Sequence, residues 1–292
     1  MSGSYYVPPQ SKWPALGSLA VGVMMVSLGM QLVHGIGGLV MTLGMAAVLT
    51  VMWLWFRDVV RESRQGLYDA QMDRSFRWGM GWFIFSEVMF FAAFFGALFY
   101  VRVFAVPWLD GEGAKGVAAL LWPDFTASWP LMNPPSESIS GPREVLSPWQ
   151  LPLVNTIFLV TSSVTLTIAH EALKEGYRNT ARNWLIGTIL LGVCFLVVQG
   201  IEYYEAYHHY GITLQAGIYG STFFLLTGFH GAHVTLGVVW LLSLFFFSFK
   251  RGGVTAERNL DVDLAALYWH FVDIVWIVIF TVVYLFGVFE GY

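Results

Sequence analysis

The stretch Trp78–Val101, WGMGWFIFSEVMFFAAFFGALFYV, decides the fold. It is long enough to cross a bilayer, because about 20 apolar residues in an α-helix span a hydrocarbon core of roughly 30 Å. It carries one carboxyl group, Glu87, near its middle. An ionisable group at that depth is costly unless it is protonated, paired or hydrogen-bonded. The stretch therefore predicts a membrane-spanning helix whose carboxyl group meets a partner on another helix.

The composition excludes a soluble domain and a nucleic-acid-binding protein. Of the 292 residues, 57% are apolar and 12% are charged, whereas soluble domains have about 25% charged residues. The sequence has no basic stripe of the kind that nucleic-acid binding requires. The one cysteine, Cys194, excludes an internal disulfide and a multi-cysteine metal site. We expect Cys194 to pack in the core.

Seven apolar stretches are long enough to cross a membrane, which predicts an all-α polytopic membrane protein. The first two are separated only by a turn at His34 and Gly35 and should form a tight antiparallel hairpin. The predicted spans are 14–33, 36–56, 78–101, 152–170, 184–204, 217–248 and 266–288.

The positive charges predict the orientation, because cytoplasmic loops collect Lys and Arg. With the N-terminus in the cytoplasm, 12 of the 15 Lys and Arg residues fall on the inner side. The other three, Arg102, Lys115 and Arg143, belong to one long outer loop at about 102–150, and the C-terminus lies outside. The Pro, Gly and Ser content of this loop predicts irregular chain with one short interfacial helix.

An aromatic strip surrounds Glu87. Phe83, Glu87, Phe90, Phe91 and Phe94 recur at spacings of three and four and so share one helix face. We expect Glu87 to be neutral or tightly hydrogen-bonded. A structural bond between helices is the preferred interpretation, and a proton relay stays open as the alternative.

The sixth and seventh stretches supply the candidate partners of this carboxyl group. His230 and His233 lie in the middle or inner half of the sixth stretch, and either could meet Glu87. The seventh stretch adds His270 and Asp273, three residues apart on one face.

The intramembrane histidines also raise a haem or metal hypothesis. Its candidate ligands inside the bilayer are His230, His233 and His270. Gly228 and Gly231 flank the first two and favour close helix packing over a cofactor pocket. Hydrogen-bonded histidines between helices are therefore preferred, and we expect neither a metal site nor a catalytic residue.

Two further clusters lie at the membrane surfaces. The inner end of the second stretch, WLWFRDVVRESRQG, has a composition suited to lipid phosphates or to a simple positive-inside anchor. It combines Trp53 and Trp55 with Arg57, Arg61 and Arg64. On the outer side, QGIEYYEAYHHYG carries Glu202 and Glu205. We expect these acids to lie on a solvated rim, with contact to a partner protein as the alternative.

Together, six segments resemble subunit III of haem-copper cytochrome c oxidases, in the order of that family. They are WFRDVVRES (55–63), FIFSEVMFF (83–91), LPLVNTIFLVTSSVTLTIAHEAL (151–173), QGIEYYEAY (199–207), GIYGSTFFLLTGFHGAHV (217–234) and YWHFVDIVWIVIFTVVYLFG (268–287).

The resemblance implies two bundles that form a V with ordered phospholipids in its cleft. Residues 1–66 would form a tail and a two-helix bundle, and residues 67–292 a five-helix bundle. The family's subunit III carries no redox cofactor; haem a, haem a3, CuA and CuB belong to subunits I and II. It packs on subunit I, beside subunit II and a small subunit IV. It supports assembly, proton uptake and stability during turnover, and its lipids are a candidate route for oxygen.

Residues of this chain match the family's sites position by position. Glu87 matches a membrane-buried glutamate, and Trp55, Arg61 and Glu62 match residues that bind a lipid headgroup. Lys250 and Arg251 fall near the basic partners of that headgroup. The long outer loop favours a bacterial inner-membrane enzyme over a mitochondrial one.

Two alternatives remain. One is the related subunit of a quinol oxidase, which usually lacks the first two helices, so the hairpin 14–56 argues against it. The other is a stand-alone proton-coupled transporter built on Glu87.

Overall fold

The fold is all-α. The computed structural model describes residues 10–136, 138–249, 253–255 and 259–289, and within these ranges seven helices are long and apolar enough to span a membrane. This confirms the predicted polytopic α-helical class. The helices are α1 (Trp13–His34), α2 (Gly38–Arg64), α3 (Ala70–Tyr100), α4 (Leu151–Lys174), α5 (Arg178–His208), α6 (Gly217–Ser243) and α7 (Leu260–Ile279).

Three helices continue into short π-helical segments. After α3 the chain runs through Val101–Ala105 and Val106–Leu109, which extends the third span to Leu109. Leu244–Phe249 follows α6. Phe280–Leu285 and Phe286–Phe289 follow α7. The helical chain is therefore longer than the hydrocarbon core requires at several ends.

The turn between α1 and α2 has the predicted form. Gly35 ends α1 with φ at 68°, and its N–H donates to the carbonyl of Gln31. Gly37 precedes α2 with φ at 103°. Both angles lie in the left-handed region, which glycine adopts without a steric cost. The expected antiparallel hairpin is confirmed.

The second and third helices extend beyond the predicted membrane spans. The spans 36–56 and 78–101 left about twenty residues between them, but α2 continues to Arg64 and α3 begins at Ala70. Asp69 starts α3 as its N-cap, because its Oδ1 accepts the N–H groups of Gln71 (3.1 Å) and Met72 (2.8 Å). Hydropathy marks where a helix leaves the hydrocarbon, whereas caps mark where it ends.

The chain divides into two compact units, Met1–Gly79 and Met80–Tyr292. In the first, α1 packs on α2, and a Cβ added to Gly44 would lie 3.0 Å from the Cα of Met24. Close approach at a small residue is the usual means of helix packing in lipid. Near the C-terminal end of α2, the indole N–H of Trp13 donates to Asp58 Oδ2 over 3.0 Å.

Trp269 lies at the centre of the second unit. Its fully buried ring approaches α5 and α6 at two glycines, where an added Cβ would lie 2.7 Å (Gly192) and 2.8 Å (Gly237) from it. Its indole N–H donates to Ser162 Oγ on α4 over 2.9 Å. One side chain of α7 therefore contacts three other helices, and α7 is the most buried of the seven spans.

The outer loop is mainly irregular and has a small core of its own. Its 3₁₀ segment is Gly113–Leu120, in the place of the expected short helix. Val106, Phe125 and Leu131 pack together, and Asp110 Oδ2 accepts the N–H of Ala127 over 2.9 Å.

Candidate functional site

Glu87 and His233 form a hydrogen-bonded pair between α3 and α6. Glu87 Oε2 lies 2.8 Å from His233 Nε2, and both side chains are largely but not wholly buried. The rings of Phe90 and Phe91 lie 6.0 and 5.1 Å from the imidazole. The aromatic face that the sequence predicted for α3 therefore surrounds this pair.

A second bond of His233 limits where the protons can lie. His233 Nδ1 is 2.6 Å from the carbonyl oxygen of Phe229. A carbonyl can only accept, so Nδ1 carries a hydrogen. The contact between Nε2 and Oε2 then holds one proton, either as a neutral acid donating to a neutral imidazole or as a carboxylate facing an imidazolium. In both forms the pair has no net charge, which suits its depth in the membrane.

His230 does not contact Glu87. It is fully buried, and its Nε2 donates to the carbonyl of Val272 over 3.1 Å. Its ring packs against Phe195 and Trp276, with ring centroids 5.6 and 5.1 Å away. The contacts of this histidine join α5, α6 and α7.

The glycines beside these histidines are less tightly packed than the sequence suggested. An added Cβ at Gly228 would lie 3.4 Å from the hydroxyl of Tyr203, and at Gly231 it would meet no atom within 4 Å. The close approach of helices occurs instead at Gly192 and Gly237. The expected core position of Cys194 is also wrong, because this residue is exposed.

His270 and Asp273 belong to a separate polar contact between α4 and α7. Ser163 Oγ lies 2.7 Å from His270 Nδ1, and Asp273 Oδ2 lies 3.9 Å from the same nitrogen. A third pair on these helices, His170 and Asp263, is also hydrogen-bonded. Sequence reasoning missed this last pair, because both residues stand at helix ends, where solvated side chains are usual.

The expected solvated rim is wrong for Glu202. Its side chain is fully buried, and Oε1 accepts a hydrogen bond from the hydroxyl of Tyr284. Its helix face offered a signal, because Gln199, Glu202 and Ala206 recur at spacings of three and four and are all buried.

No candidate metal centre is found in the described part of the chain, where no three His, Cys, Asp or Glu residues form a group that could hold a metal ion. The histidines considered as ligands instead contact a carboxylate, a backbone carbonyl and a hydroxyl.

The C-terminal end of α2 exposes two guanidinium groups beside one carboxylate. The side chains of Arg57 and Arg61 are 53% and 61% exposed, and their nearest nitrogens lie 3.9 and 3.6 Å from Asp58 Oδ1. Trp55 is also exposed. A guanidinium has five N–H donors, so these long contacts leave donors available to phosphate oxygens.

The other predicted lipid residues differ in what can be said of them. Glu62 Oε2 accepts a hydrogen bond from the hydroxyl of Tyr68 over 3.0 Å, which ties the end of α2 to the segment before α3. Lys250 and Arg251 lie outside the described residues.

Comparison with known proteins places these features in one family. The family model described as cytochrome c oxidase subunit III matches residues 3–113 and 126–288. The unmatched internal residues, 114–125, lie in the outer loop. The chain is 37% identical to cytochrome c oxidase subunit 3 of Neotragus moschatus and 36% identical to that of Tragelaphus strepsiceros, in each case over 97% of both chains.

Proposed function

The chain belongs to the cytochrome c oxidase subunit III family, and on that premise we propose that it is the non-catalytic subunit III of a proton-pumping terminal oxidase. Such an enzyme passes electrons from cytochrome c to O2 and forms water in aerobic respiration. The observation that carries this proposal is the match over nearly the whole length, with both chains covered to 97%.

We propose that redox chemistry belongs to the partner subunits. Haem a, haem a3, CuA and CuB would lie in subunits I and II, and this chain would pack on subunit I, with a small subunit IV nearby. Its polar contacts inside the membrane join its own helices to one another, as in the pair Glu87 and His233. The chain would support assembly, proton uptake and stability during turnover, and its bound lipids would offer a route for O2.

We propose a phospholipid headgroup site at the inner end of α2. Arg57 and Arg61 supply the exposed donors, and Trp55 supplies an amphipathic ring suited to the headgroup level. Asp58 does not occupy the N–H donors of Arg57 and Arg61, because its nearest contact to either arginine is longer than a hydrogen bond. The ligand would be an anionic phosphate ester with its acyl chains in the bilayer.

We propose a structural role for Glu87 and His233. Both nitrogens of His233 are engaged, one by Phe229 and the other by Glu87. A relay would have to break one of these bonds in each cycle, whereas a structural bond is satisfied as it stands. The pair would hold α3 against α6 without placing net charge in the membrane.

The proposed location is a bacterial inner membrane, with the N-terminus in the cytoplasm. The seven spans establish a multi-pass membrane protein. The Arg-rich end of α2 supports the orientation, because Arg57, Arg61 and Arg64 would then face the cytoplasm.

Purification in mild detergent tests the function. We expect the chain to co-purify with a copper-binding subunit and a haem a spectrum. Haem without a copper-binding partner would indicate a quinol oxidase. A colourless chain that is stable alone would contradict both and favour the transporter.

A further inference from the structure

Five buried side chains of the second unit have polar atoms without a hydrogen-bond partner. His230 and Asp273 are two of them, and the other three lie on α4 and α5. Asn155 on α4 and Gln199 on α5 have neither amide atom bonded, and Glu202 on α5 has Oε2 unbonded. Asn155 and Glu202 are fully buried, and Gln199 nearly so. Native proteins rarely leave such atoms unpaired, and a bound water molecule is one reason when they do.

Asn155 and Gln199 lie at one level of the bundle, and Glu202 lies about one helical turn beyond Gln199. Helices α4 and α5 are antiparallel neighbours, and Thr165 Oγ1 contacts Thr188 Oγ1 at 2.8 Å, which sets their register. Asn155 lies ten residues before Thr165, and Gln199 lies eleven residues after Thr188. At about 1.5 Å per residue both lie roughly 15 Å outward of that contact.

Glu202 shares the face of α5 with Gln199, because the two are three residues apart. Tyr284 closes the group from α7 by donating to Glu202 Oε1. The neighbouring contact from Trp276 Nε1 to Thr156 Oγ1, at 3.0 Å, also ties α7 to α4 near this level. The three side chains, with five unpaired polar atoms among them, therefore lie along neighbouring turns of α4 and α5, beside α7.

Direct pairing does not satisfy these groups. Each amide offers an oxygen acceptor and two N–H donors, and none of them makes a hydrogen bond of ordinary length, although the Tyr203 hydroxyl lies near Gln199. No ion pair to Glu202 is found among the described residues. Tyr284 is the hydrogen-bond donor to Oε1, and Oε2 needs a further donor or acceptor. Water can both donate and accept, and it bridges buried groups that cannot reach one another.

We propose that Asn155, Gln199 and Glu202 bind a cluster of internal water molecules in the outer half of the five-helix bundle. Proteins bury on the order of one water per 27 residues, typically with about three hydrogen bonds each, so a small cluster here is ordinary in number. The cluster joins α4 to α5 and, through Glu202 and Tyr284, to α7. It is separate from the pair Glu87 and His233 on α3 and α6, and it does not depend on the identity of the electron donor.

High-resolution cryo-electron microscopy of the chain, in whichever complex it purifies, tests the proposal. We expect ordered water density within hydrogen-bonding distance of Glu202 Oε2 and of both amides. A dry site, or side chains turned to bond one another directly, would overturn it. Because the readout is local, it remains valid if the chain proves to belong to a quinol oxidase.

Paired variants give a second measurement. Asn155→Leu and Gln199→Leu should each lower the melting temperature by about 2–4 °C, and the double variant should lose less than the sum, because either change already disperses the shared waters. Strictly additive losses would contradict a shared cluster.

Two controls separate this effect from general damage. Thr188→Val, on the same helix, removes a hydroxyl that is bonded directly to Thr165 and should leave the water density unchanged. Glu202→Gln keeps polar atoms at the site and should fold and retain the waters. Loss of the density in Glu202→Gln at normal assembly would overturn the role given to this side chain.

Discussion

The α1–α2 hairpin and the five-helix unit solve the same problem, stability in lipid, by different means. In the most apolar stretches of α1 and α2 only 11% and 6% of residues are buried, whereas in α7 the share is 61%. The buried residues of the hairpin helices are Ala20, Ser27 and Gly44. The five-helix unit instead buries Trp269, Trp276, His230 and Glu202, with hydrogen bonds that join separate helices.

This difference follows from the solvent. Lipid is as apolar as leucine, so burying more leucine does not hold membrane helices together; close packing and interhelical hydrogen bonds do. The five-helix unit contains both within itself. The hairpin leaves residues such as Leu19, Leu32 and Leu39 exposed, so its geometry depends more on what surrounds it.

The largest expected effect is the loss of Trp269. Trp269→Ala would empty the space between α4, α5 and α6 and remove the hydrogen bond that Ser162 Oγ accepts, leaving Ser162 only its donation to the carbonyl of Leu159. We expect a loss of about 3–5 kcal/mol, the range for Trp→Ala in packed cores. The measurement is the unfolding free energy or assembly yield of the purified complex. Trp53→Ala, at an exposed position of the hairpin, is the control and should change little. Equal losses of unfolding free energy in the two variants would contradict the difference in packing between the hairpin and the five-helix unit.

Two tightly packed glycines give a closer comparison. Gly237→Ala places a methyl group 2.8 Å from the ring of Trp269, and Gly44→Ala places one 3.0 Å from the backbone of Met24. Overpacking costs about 1–3 kcal/mol. We expect Gly237→Ala to fall in that range and Gly44→Ala to cost less, because α1 can move away.

Thermal unfolding of the complex would measure both glycine variants. Gly231→Ala is the control, since its Cβ would meet no atom within 4 Å. If Gly44→Ala proved the more damaging, the hairpin would be the more rigid unit.

Glu87 tests whether an interhelical bond or a proton transfer matters. Glu87→Gln can still bond His233 by donating its amide N–H to Nε2, so stability should stay within about 0.5 kcal/mol, with electron transfer and pumping nearly intact. Glu87→Leu leaves Nε2 unpaired and should cost about 1–3 kcal/mol. Measurements of turnover rate, proton release and unfolding free energy on the same preparations would distinguish the structural role from the proton-transfer role. If Glu87→Gln assembled normally but no longer pumped protons, the structural role would be contradicted.

The sequence predicted what depends on length and period. The seven spans follow from apolar stretches near 20 residues, and the aromatic face of Glu87 follows from spacings of three and four. The hairpin turn could also be predicted from the sequence, because only a short Gly-containing segment separates the two spans.

The sequence did not predict what depends on which neighbour a face meets. A solvated rim is the expectation for Glu202, because acidic residues near helix ends are usually exposed to solvent. In the structure, however, Tyr284 of α7 covers Glu202 and donates a hydrogen bond to it. Gly231 has the same composition around it as a packing glycine, but its position on α6 faces open space, whereas Gly237 meets Trp269. A helix period shows which residues share a face and leaves the opposing helix undetermined.

Arg61→Ala should have the smallest effect on stability and a clear effect on lipid. Arg61 is exposed, and its contact with Asp58 is 3.6 Å long, so its removal should change the unfolding free energy by less than about 0.5 kcal/mol. If its donors hold a phosphate, tightly bound phospholipid should fall by about one molecule per complex, and the enzyme should lose activity sooner during turnover. Mass spectrometry of lipids in the purified complex would measure the loss of phospholipid, and the time course of oxygen consumption would measure the loss of activity.

Arg64→Ala, at the last residue of the same helix, is the matched control and should retain the lipid. Unchanged lipid in Arg61→Ala, or equal loss in both variants, would remove the specific headgroup site and reduce this end of the hairpin to a general positive anchor.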